Sequence, residues 1–324
     1  MHNYSFIQQK IHHLVLGNKF VKKSLFEIEK ILFEKQLSNS QNDPHVFITG
    51  LPRSGTTILL EFLYKTKMYA SLTYSDMPFI LSPNLFSKIR KPQETPLKER
   101  MHKDGIKINL KSPEAFDDVF FQTFDKNEIQ ENLSIFISFI LERYKKKRYL
   151  SKNNNNFKRI DLLHSIFPNA KFVIPFRNAL QHANSLLSQH RNFCEVHKQN
   201  KFISQYMSYL GHLEFGQIHK SWYPPKDFND PFSLNYWLEQ WFLFYEKLYQ
   251  KYLNHPSVIF ISYETLCDNN SLKNILLEKL NVDVDINFSF SLSSKTIKEN
   301  YDENLLNKCN LLEKDLIAGS IQPS

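Results

Sequence analysis

Apolar residues recur at helical spacing over residues 6–37, Leu14, Phe20, Leu25, Ile28, Ile31 and Leu32 among them, and predict an N-terminal helical segment. Asn42-Asp43-Pro44 breaks that pattern. Residues 46–49, Val-Phe-Ile-Thr, form a short β-rich apolar run, as expected of a buried parallel strand. Residues 56–67 carry apolar side chains on most sides and predict a buried helix. Pro and Ser crowd residues 75–93, which predicts irregular chain, and residues 116–144 return to a helical pattern. A basic run, Lys145-Lys146-Lys147-Arg148, leads through Tyr149-Leu150 to Ser151-Lys152-Asn153, and the asparagines at 153–156 predict a loop. Residues 171–175 read as a second buried strand, followed by a helix over about 178–190. Residues 233–253 predict a long aromatic-rich helix, residues 258–262 a third strand, and residues 271–280 a helix behind it.

Strands that alternate with helices place the chain in the α/β class. The expected architecture is a P-loop-like three-layer fold, a central parallel sheet flanked by helices, with a helical cap. No internal repeat and no obvious linker divides the sequence, so a single domain over residues 1–324 is expected. Within it, residues 1–44 would be a helical extension, and about 80–145 and 195–245 would cap the site.

Composition narrows the partners without naming one. The 324 residues are 42% hydrophobic, enough for a sizeable core. Lys and Arg number 41 against 33 Asp and Glu, a net +8 that suits an anionic ligand, a nucleic acid or an acidic surface. The cysteines, Cys194, Cys267 and Cys309, are odd in number and widely spaced. They make no disulfide framework and point to a reducing, cytoplasmic compartment. The opening MHNYSFIQQKIHH has no charged segment leading into an apolar one. Nowhere do about 18 apolar residues run together, so neither secretion nor a membrane span is expected. Cys194-x-x-His197 has metal-ligand spacing but no second pair to complete the about four ligands of structural zinc, so no metal is expected.

The chemistry concentrates in Gly50-Leu51-Pro52-Arg53-Ser54-Gly55-Thr56-Thr57, between the first strand and its helix. A strand that turns sharply into a helix aims backbone N–H groups, and the positive end of the helix dipole, at one spot. Gly50 and Gly55 permit the turn and the close approach of a ligand. Thr56 and Thr57 add hydroxyls, and Arg53 adds a planar fork of donors suited to a tetrahedral oxyanion. Nucleotide-hydrolysing P-loops carry lysine where this loop has Thr56, which disfavours triphosphate chemistry. A second cluster follows the strand at 171–175. Arg177 stands at its C-terminal end, on the face where open α/β sheets bind ligands. Asn178, His182 and Ser185 share one face of the next helix, so Arg177 and Ser185 can converge on a second anionic group.

PRSGTT after a strand, then Phe176-Arg177 with Ser185 after a later strand, resembles the sulfotransferases that use 3′-phosphoadenosine 5′-phosphosulfate, PAPS. The form with arginine at 53 is similar to tyrosylprotein and many bacterial members. The resemblance implies that Pro52, Arg53, Ser54, Gly55, Thr56 and Thr57 grip the 5′-phosphosulfate, while Arg177 and Ser185 grip the 3′-phosphate. Ser262-Tyr263-Glu264-x-Leu266 looks like the family's Tyr-Glu-x-Leu, which implies that Tyr263 lies near the adenine. Ser151-Lys152-Asn153 matches a stretch that implies Lys152 reaches the transferring sulfuryl group.

One departure concerns the base. The cytosolic enzymes place a catalytic histidine two residues after that lysine, and here the position is Asn154, which is no base near neutral pH. Tyrosylprotein-type members use a carboxylate roughly twenty residues past the loop arginine. That implies Asp76 as the base, with Glu114 in reserve. The expected activity is metal-independent sulfuryl transfer to a hydroxyl or amine of a saccharide or other small or lipid-linked acceptor, with no nucleic acid as partner. A P-loop-type kinase and a non-catalytic nucleotide- or nucleic-acid-binding protein are the alternatives, the latter supported by the basic run at 145–148.

Overall fold

Asn18 divides the N-terminal helical segment in two. It ends α1 (Phe6–Gly17) and caps α2 (Lys19–Phe33), its side chain accepting from the backbone of Phe20 and Val21. The computed structural model describes residues 4–89, 95–99, 105–292, 294 and 296–322. Met1, His2 and Asn3 of the N-terminal expectation lie outside the described residues, as do residues 90–93 of the predicted irregular segment and 90–94 and 100–104 of the predicted cap. The helices pack through Val15, Leu16, Phe26 and Phe33, whereas Leu14, Phe20, Ile28, Ile31 and Leu32 face outward.

β1 (Val46–Ile48) follows, every residue buried. Gly55 turns the chain into α3 (Thr56–Lys65), which is buried on most sides, and then into β2 (Tyr69–Ala70). The Pro- and Ser-rich segment is not all irregular, because it contains α4 (Pro83–Ile89) with proline in its first turn. β3 (Lys98–Glu99) and β4 (Lys107–Ile108) pair as a small antiparallel ribbon apart from the main sheet. The helix expected over 116–144 is two, α5 (Asp118–Thr123) and α6 (Lys126–Tyr144). They are separated where Asp125 and Glu128 form a capping box.

β5 (Arg148–Lys152) was hidden in the sequence by its polar residues, yet all five are buried. Arg148 explains how. Its Nε donates to the Pro44 carbonyl at 2.9 Å, Nη1 to Asn281 at 3.0 Å and Nη2 to Leu280 at 2.5 Å. The last residue of the basic run is thus a structural strut. α7 (Ile160–Ile166), β6 (Lys171–Phe176), α8 (Ala179–Gln199), α9 (Lys201–Tyr209), α10 (Leu234–Tyr252) and β7 (Val258–Ser262) come next. α11 (Tyr263–Asp268), α12 (Asn270–Lys279) and α13 (Glu303–Gly319) complete the chain. No described helix is long and apolar enough to cross a membrane.

The fold is an α/β architecture with a five-stranded sheet of order β2-β5-β1-β6-β7, every pair parallel. Side chains alternate between its faces. Phe47, Phe172 and Ile174 join the layer of α6, α8 and α10, while Val46, Ile48, Val173 and Ile261 join that of α3 and α12. β1 is flanked by β5 on one side and β6 on the other, so the chain reverses direction across the sheet at β1. In such sheets the crevice for ligands opens at the C-terminal end of the strand where the order reverses.

Candidate active site

The loop after β1 fills that crevice. Its turn is tight because Ser54 donates from both its N–H and its hydroxyl to the Leu51 carbonyl, the latter at 2.7 Å. Arg53 adopts a left-handed φ of 72° and Gly55 one of 97°. Gly55 is required for a second reason. A Cβ there would lie 2.3 Å from the ring of Tyr263. Thr56 and Thr57 open α3 and are buried, in the turn where a helix leaves N–H groups without intrahelical partners.

The end of β6 meets this loop. Arg53 Nε donates to Ser185 Oγ at 3.3 Å, and Arg177 Nη1 donates to the Arg53 carbonyl at 3.3 Å. His182 Nε2 donates to the Pro52 carbonyl at 2.8 Å, which fixes its tautomer. His182 is wholly buried, and burial holds its pKa down to about 3, with Arg177 and Arg53 adding to the effect. The two clusters singled out in the sequence therefore meet, Pro52 through His182 and Arg53 through both Ser185 and Arg177.

Glu264 and Tyr263 close the far side. Glu264 Oε1 lies 3.5 Å from Arg177 Nε and accepts from the Asn178 N–H at 3.1 Å, so one carboxylate fixes both the arginine and the start of α8. Sequence reasoning gave Glu264 no role, although its place at the end of β7 was the available signal. The Arg177 guanidinium lies 5.8 Å from the centre of the Tyr263 ring, and the Tyr263 hydroxyl donates to the Ser291 carbonyl at 3.1 Å.

Lys152, the last residue of β5, brings a third cation to the same edge. Its Nζ lies 3.9 Å from Glu114 Oε1, and both side chains are nearly buried. Glu114 Oε2 accepts from the Tyr74 hydroxyl at 3.0 Å, and Oε1 from the Ala115 N–H at 2.9 Å. Asp76 sits differently. Its Oδ2 accepts from the Thr73 N–H at 2.8 Å, the Thr73 hydroxyl at 3.2 Å and the Tyr144 hydroxyl at 2.6 Å. Burial raises its pKa against the lowering effect of those bonds. Asp76 thus caps a 3-10 turn and anchors Tyr144. Asn154 donates to Glu214 at 3.3 Å. Cys194 and His197 are engaged separately, Cys194 Sγ 3.6 Å from His190 Nε2 and His197 Nε2 3.3 Å from Met207 Sδ.

The arrangement offers two arginines, a lysine and a helix N-terminus to an anion carrying more than one charged group, with a carboxylate beside the lysine. Comparison with known proteins shows the family and the fold. A model of the sulfotransferase family matches residues 44–273. Among solved structures, a sulfotransferase from Mycobacterium tuberculosis superposes with a TM-score of 0.50 at 12% identity, over 85% of this chain and 77% of that one. A sulfotransferase from Mycobacterium avium gives 0.48 at 10% identity, over 97% and 79%. The sulfotransferase domain from the curacin biosynthetic pathway gives 0.37 at 14% identity, over 75% and 76%. Among curated proteins, none matches the sequence.

Proposed function

This chain belongs to the sulfotransferase family, and on that premise we propose that it moves a sulfuryl group from PAPS to a hydroxyl or amine of a saccharide or other small or lipid-linked acceptor. The observation that carries this reading is the contact of Arg53 with Ser185 and of Arg177 with the Arg53 carbonyl, at 3.3 Å each. It sets one cation at the mouth of the α3 helix and another a short distance away, as a nucleotide with anionic groups at both its 5′ and 3′ positions requires.

Pro52 to Thr57 hold the 5′-phosphosulfate in this scheme. Arg177 and Ser185 hold the 3′-phosphate, and Tyr263 borders the base. The acceptor oxygen or nitrogen attacks sulfur in line as the bond from sulfur to the 5′-phosphate oxygen breaks. Its proton passes to a carboxylate, and 3′-phosphoadenosine 5′-phosphate departs. Arg53 and Lys152 offset the charge that builds on the sulfuryl oxygens and the leaving oxygen. Of the two carboxylates the sequence offers, Glu114 fits the base better, because it stands 3.9 Å from Lys152 while Asp76 is engaged by Thr73 and Tyr144. The chain acts as a single domain on this reading, with residues 1–44 as a helical extension and the helices within about 80–145 and 195–245 capping the acceptor side. A cytoplasmic setting accompanies it, since that keeps Cys194, Cys267 and Cys309 as the free thiols they are here.

Calorimetric titration with 3′-phosphoadenosine 5′-phosphate in the absence of Mg²⁺ tests the reading. The wild type should bind at about micromolar strength, and Arg177→Ala should bind at least about tenfold more weakly, as loss of a charge-assisted contact demands. A wild type that ignores this nucleotide and binds ATP with Mg²⁺ would replace the sulfotransferase reading with the kinase one.

A further inference from the structure

We infer that Glu313, on the C-terminal helix, is a positioning residue for the 3′-phosphate subsite: it clamps the start of α8 and thereby sets Arg177 and Ser185. Its place in the sequence pattern is the first sign. On α13, Leu305, Leu306, Cys309, Leu312 and Leu316 are buried and fall within an arc of about 120°. Glu313 lies inside that arc, where the spacing calls for an apolar residue. The helix packs against α10, α8 and β7, and Cys309 Sγ donates to the Leu238 carbonyl of α10 at 3.7 Å, which fixes its register. A carboxylate on such a face needs hydrogen-bond partners there. They are the first residues of α8.

Glu313 Oε2 accepts from the Ala179 N–H at 2.9 Å, and the Asn178 side-chain amide donates to both carboxylate oxygens at 3.2 Å. Asn178 Oδ1 in turn accepts from the Gln181 N–H at 3.1 Å, and Glu264 Oε1 accepts from the Asn178 N–H at 3.1 Å. Two carboxylates therefore fill the N-terminus of α8, a place that otherwise attracts anions. They repel one another: burial and the charge of Glu264 raise the pKa of Glu313, against the lowering effect of its bonds to Ala179 and Asn178. With the helix end occupied, the anionic group of a nucleotide is left to side chains. These are Arg177, which immediately precedes the clamp, and Ser185, about two turns along the same helix. Holding Asn178 and Ala179 fixes the backbone that leaves Arg177, while Glu264 sets its Nε at 3.5 Å and the Arg53 carbonyl its Nη1 at 3.3 Å. α13 lies beyond residue 273, where the match to the family model ends. The role of Glu313 rests on the sulfuryl-transfer reading, which gives the 3′-phosphate to Arg177 and Ser185.

Calorimetric titration of the full chain with 3′-phosphoadenosine 5′-phosphate and with adenosine 5′-phosphate, which lacks the 3′ group, tests that role. Wild type should prefer the former, and Arg177→Ala should remove most of the preference. Glu313→Ala should lower the preference at least about fivefold, weakening the former nucleotide and leaving the latter within about twofold, as loss of charge-assisted bonds that act through Arg177 demands. Glu313→Gln retains an oxygen for the Ala179 N–H and should keep the wild-type preference within about twofold. A residue that only stabilised the fold would lower the melting temperature and leave the preference unchanged. Circular dichroism checks each fold, and should Glu313→Ala not fold, Glu313→Asp, one methylene shorter, should lower the preference by about threefold. The role of Glu313 is overturned if the folded variant keeps the wild-type preference while Arg177→Ala loses it. A wild type without preference, or an Arg177→Ala variant that keeps it, would overturn the 3′-phosphate assignment itself and the role of Glu313 with it.

Discussion

At the scale of the residue, Glu114 and Asp76 show why type and spacing in sequence do not assign a role. Both are buried carboxylates, 7% and 2% exposed. Glu114 shares its oxygens among Lys152, Tyr74 and the Ala115 N–H, whereas Asp76 is held by Thr73 and Tyr144. The variants should therefore fail in different ways. Glu114→Gln should leave the fold and nucleotide affinity little changed and slow transfer by on the order of a hundredfold or more, the usual effect of removing a general base. Asp76→Ala should cost about 1–3 kcal/mol of stability by leaving the Thr73 N–H and the Tyr144 hydroxyl unsatisfied. Release of 3′-phosphoadenosine 5′-phosphate in an acceptor screen, set beside thermal melts, separates the two. A Glu114→Gln enzyme of full rate beside a folded but inactive Asp76→Asn enzyme would return the role of base to Asp76.

At the scale of the element, the legible parts were those in which burial is written as uninterrupted apolar residues. β6 and β7 came through within a residue, and β1 likewise, because strands covered on both faces need no polar side chain. β5 did not, since Arg148, Ser151 and Lys152 are polar and buried at once, each with a partner that only the fold supplies: backbone carbonyls, Asp117 and Glu114. Helical spacing was legible in α1 and α2, but spacing alone does not say which face is covered, and the outward residues proved to be as apolar as the inward ones. α8 is tied near its N-terminal end to the loop after β1 through His182, and this gives a pH test. The folded-state pKa of His182 is depressed to about 3, and those of His45 and His190 to about 4, in each case chiefly by burial. A base depressed in this way contributes stability above its unfolded pKa of about 6.5 and loses it as pH falls toward the folded value, by up to about 3 kcal/mol at pH 4. Burial of Asp117 raises its pKa to about 6, so it acts in the opposite direction over part of that range, and the informative quantity is the difference between variant and wild type. His182→Gln, able to keep the bond to the Pro52 carbonyl, should lose less stability than wild type between pH 6.5 and pH 4. Parallel curves for the two proteins over that interval would show that His182 protonation does not drive the loss.

At the scale of the whole molecule, the site is assembled from stretches far apart in the chain: the loop at 50–57, Tyr74, Glu114, Lys152, Arg177 to Ser185, and Glu264. The sheet makes this possible, because its parallel strands deliver the ends of β1, β5, β6 and β7 to one edge. The C-terminal helix takes part from outside the site. Glu313 of α13 accepts from the Ala179 N–H at 2.9 Å and from Asn178, and so caps the helix that begins beside Arg177. The N-terminal helices are tied in as well, since Glu29 of α2 accepts from the backbone of Asn84 and Leu85 at 2.7 and 2.9 Å. A site whose parts are joined through both ends of the chain should not melt piecemeal. Thermal unfolding is therefore expected as one transition, coincident by far-ultraviolet circular dichroism and by the fluorescence of the buried Trp237 and Trp241. Saturation with 3′-phosphoadenosine 5′-phosphate at about a hundred times its Kd should shift the whole transition upward by about 2.7 kcal/mol. An earlier melt that the nucleotide leaves unmoved would identify residues 4–44 as a separate unit.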